Sequence, residues 1–198
     1  MYEDQKMFTE EQIKNLKEKA ETLLIEKFSC GKDRDAELLA NQILKINPQD
    51  VKVIQLLGLI KHRQQDYKSA LDLFHKAIQM EPENFENYNN IGLCYSGMGQ
   101  YEKAIEYLEK AQNIKSDLDY IHANLGLQYR STKNFSKAIK CFITALSIKE
   151  TPETWSMLGG AYGEVRDLFK AENCFLSAIR LKKDFAAAHV DLASIYQY

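Results

Sequence analysis

Four cysteines (Cys30, Cys94, Cys141, Cys174) and four histidines (His62, His75, His122, His189) are the side chains of this chain with the most reactive chemistry. In suitable spacings, thiols and imidazoles hold zinc, form disulfides or serve as nucleophile and base. The spacing here suits none of these. No C-x-x-C or H-x-x-x-H pair occurs, so neither a metal nor a cofactor is expected. G-x-S-x-G, H-E-x-x-H and a phosphate-cradling glycine loop are missing too, so no catalytic residue is assigned and these 198 residues are read as non-enzymatic. The amides are placed more suggestively. Asn90 and Asn124 fall at equivalent places in Asn89-Asn90-Ile91-Gly92 and Ala123-Asn124-Leu125-Gly126, and an amide side chain can donate to and accept from one peptide group at once.

What positions these residues is a repeat. Gly58, Gly92 and Gly126 are each 34 apart and Gly159 follows after 33. Ala70, Ala104, Ala138 and Ala171 trail each glycine by twelve, with a further alanine register at Ala77, Ala111, Ala145 and Ala178. Between the alanines stand Phe74, Leu108, Phe142 and Phe175, and Tyr95, Tyr129 and Tyr162 follow three of the glycines. Helices approach closely only over small side chains, which gives the glycines and alanines a packing reason, with the bulky residues filling the spaces between. The polar turns Gln65-Asp66-Tyr67, Gly99-Gln100-Tyr101, Lys133-Asn134-Phe135 and Arg166-Asp167-Leu168 separate the two helices of each unit.

Trp155, Leu158, Gly159, Tyr162, Ala171, Phe175 and Ala178 carry the fullest set of these positions, and they resemble the tetratricopeptide repeat. The resemblance implies an all-α, right-handed alpha-alpha solenoid of helix-turn-helix units. The units are placed at 17–50, 51–84, 85–118, 119–151 and 152–185, with a helical extension at 1–16 and the first helix of an incomplete sixth unit, or a terminal cap, at 186–198. The first unit is degenerate, with Leu24 in the glycine place. Thr9-Glu10-Glu11-Gln12 reads as a capping box opening a helix that continues into that unit.

In this frame Cys141 and Cys174 occupy the same place in successive second helices, about 10 Å apart, beyond the roughly 7 Å that a disulfide spans. Cys94 lies on a buried face and Cys30 near a turn, so four free thiols and a cytoplasmic location are expected. His122 and His189 take the slot of Trp155 and read as packing residues, whereas His75 reads as solvated. Gly159, Gly160 and Gly163 on one first helix read as a widened groove. With 26 basic against 28 acidic residues and a net charge of −2, no phosphate-neutralising stripe exists and nucleic acid is not expected as a partner. No apolar run approaches the ~20 residues of a membrane helix, so a membrane is not expected either.

The resemblance implies that the second, fifth, sixth, ninth, twelfth and thirteenth residues of a unit face a groove. The groove then holds Lys52, Gln55, Leu59, His62 and Arg63, then Glu86, Asn89, Asn90, Leu93 and Ser96, then Tyr120, Asn124, Leu127 and Arg130, and finally Glu153, Ser156, Met157, Gly160 and Glu164. Leu59, Leu93 and Leu127 would form an apolar floor. Asn90 and Asn124 resemble the asparagine ladder of O-GlcNAc transferase superhelices, interrupted by Leu56 and Met157, with Asp191 at the same register in the sixth unit. Two roles are open for them: gripping an extended ligand, or tying neighbouring helices together. The carboxylate clamp that holds chaperone tails is not expected, because its places in units three to five read Glu86 and Asn89, then Tyr120 and Asn124, then Glu153 and Met157, and only the asparagine survives.

The expected function is a non-enzymatic scaffold that binds a protein, either an extended peptide or a partner helix, in the groove. An alternative is the partner-recruiting N-terminal module of a larger enzyme such as a glycosyltransferase. A third is self-association, by end-to-end stacking through the helix 186–198, whose Ala188, Leu192, Ala193, Ile195 and Tyr196 make it strongly apolar.

Overall fold

The structure is a computed structural model and describes residues 10–195. The expected capping box rests on Thr9 and so lies outside the described residues, as does Tyr196. The described residues form eleven α-helices and no strand, an α-solenoid of helix pairs. Two compact units divide them, one ending at Pro82 and the other starting at Glu83.

The first unit contains α1 (Glu10–Ser29), α2 (Asp33–Ile46), α3 (Val51–Arg63) and α4 (Tyr67–Met80). Each helix packs on the next. The core of α1 to α3 joins Leu24, Ala36, Ala40 and Ile43 to Val53, Leu57 and Ile60. The degenerate glycine place has a volume explanation. In the following pair Gly58 faces Phe74, whereas 34 residues earlier the same two places hold Leu24 and Ala40, both buried. Large and small have changed sides, and the interior stays filled.

The second unit contains α5 (Phe85–Gly97), α6 (Tyr101–Ile114), α7 (Asp119–Ser131), α8 (Phe135–Ile148), α9 (Pro152–Glu164), α10 (Leu168–Leu181) and α11 (Ala186–Ile195). A Cβ added to Gly92, Gly126 or Gly159 would lie 2.7 Å from Leu108, 2.5 Å from Phe142 or 2.7 Å from Phe175. The glycine of each first helix therefore receives the bulky residue of its own second helix, and the two apolar registers form one contact. Tyr95, Tyr129 and Tyr162 each lie under a lysine of the paired helix, Lys103, Lys137 and Lys170, at 5.3, 4.9 and 5.2 Å. On α11, Ala188 is buried and Leu192 and Ile195 pack against the core that holds Phe175 and Ala178, while Val190 points outward, 67% exposed.

Helix starts follow local chemistry. Asp50, Asp66, Asn134, Thr151 and Asp167 each accept from the backbone N–H three residues on, and Asn84 from that of Glu86. The turns inside the helix pairs share one feature. Gly31, Gln65, Gly99, Lys133 and Arg166 all have φ between 60° and 72°, the left-handed conformation that ends a helix and reverses the chain.

Candidate functional site

In the first unit the expected groove residues lie on α3 (Val51–Arg63). Lys52 is exposed, and Gln55, Leu59 and His62 are half-buried, with the His62 ring edge-on to Tyr67 at 5.4 Å. Arg63 departs from expectation. Its guanidinium forms an ion pair with Asp33, donates to the Phe28 carbonyl at 2.9 Å and stacks 4.0 Å from the Phe28 ring. A guanidinium committed to α1 and α2 in this way holds the unit together. Lys61 similarly reaches Glu37 at 2.5 Å.

In the second unit the amides form a chain. Asn124 Nδ2 on α7 donates to Asn89 Oδ1 on α5 at 3.0 Å, and Asn89 Nδ2 lies 3.4 Å from Asn90 Oδ1. The same relation recurs between α9 and α11, where Ser156 Oγ donates to Asp191 Oδ2 at 3.3 Å. In both cases the fifth residue of one unit meets the sixth of the next, 35 positions on. Asn89, only 7% exposed, is thus the partner of Asn124, and Asn90 stands at the edge of the chain. Glu86 is exposed, Leu93 and Ser96 are half-buried, and Leu127 and Met157 lie partly buried against the core of α7 to α9. Tyr120 is 39% exposed; partial burial, then the Glu86 and Asp119 charges, push its phenol above the ordinary range.

The residues brought together most closely line a cavity of about 710 Å³ bounded by α7, α9 and α11. Arg130, Ser156 and Met157 line it with Glu153, Gly160 and Glu164, all read as groove residues from the sequence. The three glycines of α9 differ: Gly159 receives the Phe175 ring, Gly160 lies under Arg130 and Gly163 faces open space. A Cβ on Gly163 would meet nothing within 4 Å, and one on Gly160 would meet only the Arg130 guanidinium, at 2.9 Å. Arg166 and, from α11, Asp191 and Ser194 complete the wall. The repeat register points to Asp191, which shares the sixth position with Asn90 and Asn124, but to neither Arg166 nor Ser194.

The reactive residues lie elsewhere. His122 is buried, and its Nδ1 accepts from the Gln112 amide at 3.1 Å while Nε2–H donates to the Ser116 carbonyl at 2.8 Å. His189 likewise reaches the Lys183 carbonyl. Both imidazoles pin the loop entering their own helix. The cysteines are free, with Cys30 exposed. Burial pushes the Cys94 thiol up to about 12 and the Cys174 thiol to about 11, and it raises Cys141 as well, so their thiolates are suppressed at neutral pH. Among the described residues no cluster of His, Cys, Asp and Glu has the arrangement of a metal site, and no helix is long and apolar enough to cross a membrane.

Comparison with known proteins agrees with this architecture. Profiles of the tetratricopeptide repeat match residues 50–117 and 120–152, together more than half of the chain. No curated protein matches the chain. Among solved structures, the thermophilic tetratricopeptide protein TTC0263 of Thermus thermophilus is 22% identical over 92% of this chain and 100% of its own, with a TM-score of 0.74. MamA 41-end from Desulfovibrio magneticus RS-1 is 18% identical over 85% of this chain and 96% of its own, at 0.76. YrrB, described as a tetratricopeptide protein with an unusual peptide-binding site, is 18% identical over 85% of this chain and 88% of its own, at 0.68. At these identities the likeness concerns the fold. The repeat registers, the helix pairs built on them and the two profile matches agree, and the chain belongs to the tetratricopeptide repeat family.

Proposed function

We propose that this chain is a non-enzymatic protein-interaction module whose second unit takes an extended peptide into the cavity between α7, α9 and α11, in the cytoplasm. The observation that carries this reading is the cavity itself. Its volume of about 710 Å³ falls in the range of ligand-binding clefts, ~300–1,000 Å³. Bare backbone at Gly163 lets another chain approach α9 closely, and polar groups on three helices offer hydrogen bonds to a peptide backbone. Support of a broader kind comes from the family, which includes a protein described by its peptide-binding site.

Gly163→Leu tests the proposal. The added side chain meets no atom at its Cβ and replaces a poor helix former with a good one, so thermal stability should hold or rise, by up to about 1 kcal/mol. A random-sequence peptide library displayed on phage is selected against the full wild-type chain, and the enriched peptides are titrated by calorimetry. Their affinity for Gly163→Leu should fall at least tenfold. Undiminished affinity would place binding elsewhere and overturn the proposal.

A further inference from the structure

Three charged side chains of this cavity, Arg130, Glu153 and Glu164, have no ion-pair partner among the described residues. Arg130 extends from α7 across the bare backbone of Gly160, and no carboxylate among the described residues lies within ion-pair distance of its guanidinium. Glu153 and Glu164, on the cavity wall formed by α9, likewise have no basic partner among the described residues, where the Asp191 carboxylate receives only the Ser156 hydroxyl. This contrasts with the first unit, where Arg63, Lys61 and Lys17 each reach a carboxylate. A guanidinium presents five N–H donors in a fixed fork that matches a carboxylate. Half-buried on the cavity wall with no carboxylate partner among the described residues, it is a recognition element for an anionic group.

An acidic ligand alone does not fit the rest of the wall. It would meet Glu153, Glu164 and Asp191 as well as Arg130, and like charges across an interface select against the wrong partner. A purely basic ligand meets the guanidinium of Arg130. Charges of both signs satisfy both walls. The geometry points to a peptide ligand that carries an acidic side chain for Arg130 and a basic side chain for Glu153. Gly160, under Arg130, is seven positions from Glu153, about 10 Å along a helix. A strand lying along α9 covers that distance in about three residues, so the two charges should stand about three residues apart. This ligand chemistry rests on the reading of the cavity as a peptide site.

The test uses the full chain and the library-selected peptides. The enriched sequences should share one acidic and one basic position. Arg130→Met keeps the aliphatic stem and removes the charge, and should lower affinity at least tenfold for such a peptide. It should not lower affinity further when the peptide's acid is replaced by its amide. Glu153→Gln should behave in the same way toward the basic residue and its norleucine replacement. Thermal melts of both variants should overlay the wild type, which separates lost recognition from lost folding. Enriched peptides without charge, or an Arg130→Met loss that is equal for the acidic and amidated peptides, would overturn the inference while leaving the peptide site standing. Undiminished binding to Gly163→Leu, or no enrichment at all, would overturn the peptide site and the inference with it.

Discussion

At the scale of single residues, Asn124 separates what the sequence discloses from what it conceals. Its place in a repeat marks it as a polar residue on an inner helix face, but the 34-residue period pairs it with Asn90, whereas its hydrogen bond goes to Asn89 at 3.0 Å. Stacked helices meet one residue out of step, so the true neighbour is 35 positions away, an offset that side-chain identity does not encode. Ser156 with Asp191 obeys the same rule. The partners of Arg63 are hidden from the sequence for a related reason: Asp33 and Phe28 lie on the preceding helices and are fixed by packing, not by the period. Truncating Asn124 to alanine takes the donor away from the Oδ1 of Asn89, which is 7% exposed, and should cost about 1–3 kcal/mol. That corresponds to roughly 2–4 °C in melting temperature per kcal/mol. Asn90→Ala, at the edge of the chain, should melt close to the wild type. An Asn124→Ala protein melting like the wild type would show that the amide contributes nothing to folding and return it to the ligand.

The helices themselves were legible because every unit repeats the same small and large residues, and a packing error in one frame would contradict the others. Their turns were only partly so. Gly31 and Gly99 sit at equivalent places in two units, which is the signal that this place demands a positive φ; Gln65, Lys133 and Arg166 adopt the same conformation without glycine's freedom. A side chain in the left-handed region costs about 1 kcal/mol. Lys133 is exposed, so Lys133→Gly should remove that strain while giving the unfolded chain more freedom. The expected net effect is a gain of up to about 0.5 kcal/mol, read from the midpoint of urea unfolding at unchanged slope. A lowered midpoint would mean that the lysine side chain contributes more than the turn geometry costs.

At the scale of the molecule, the contacts inside each of the two units join described helices that are adjacent or next but one along the chain, the nearest-neighbour pattern of solenoids. Fold was therefore readable from one dimension of sequence. The cavity was not, because its walls combine α7, α9 and α11 and its charge pattern depends on where Arg130 finds no partner. The same nearest-neighbour character predicts how damage spreads. Gly126→Ala drives a Cβ to within 2.5 Å of the Phe142 ring, and overpacking of this kind costs about 1–3 kcal/mol. Within the second unit α7 and α8 pack on α5, α6 and α9, while α10 packs on α9 and α11. Hydrogen exchange followed by mass spectrometry should then show faster exchange in peptides from α7 and α8, a smaller rise in α6 and α9, and no change in α10. Loosening of one helix pair would cross the solenoid only through the helices it touches, and the gradient measures that. An equal rise in α10 would instead mean that the second unit opens in a single cooperative step, with α7 through α11 sharing one free energy of opening.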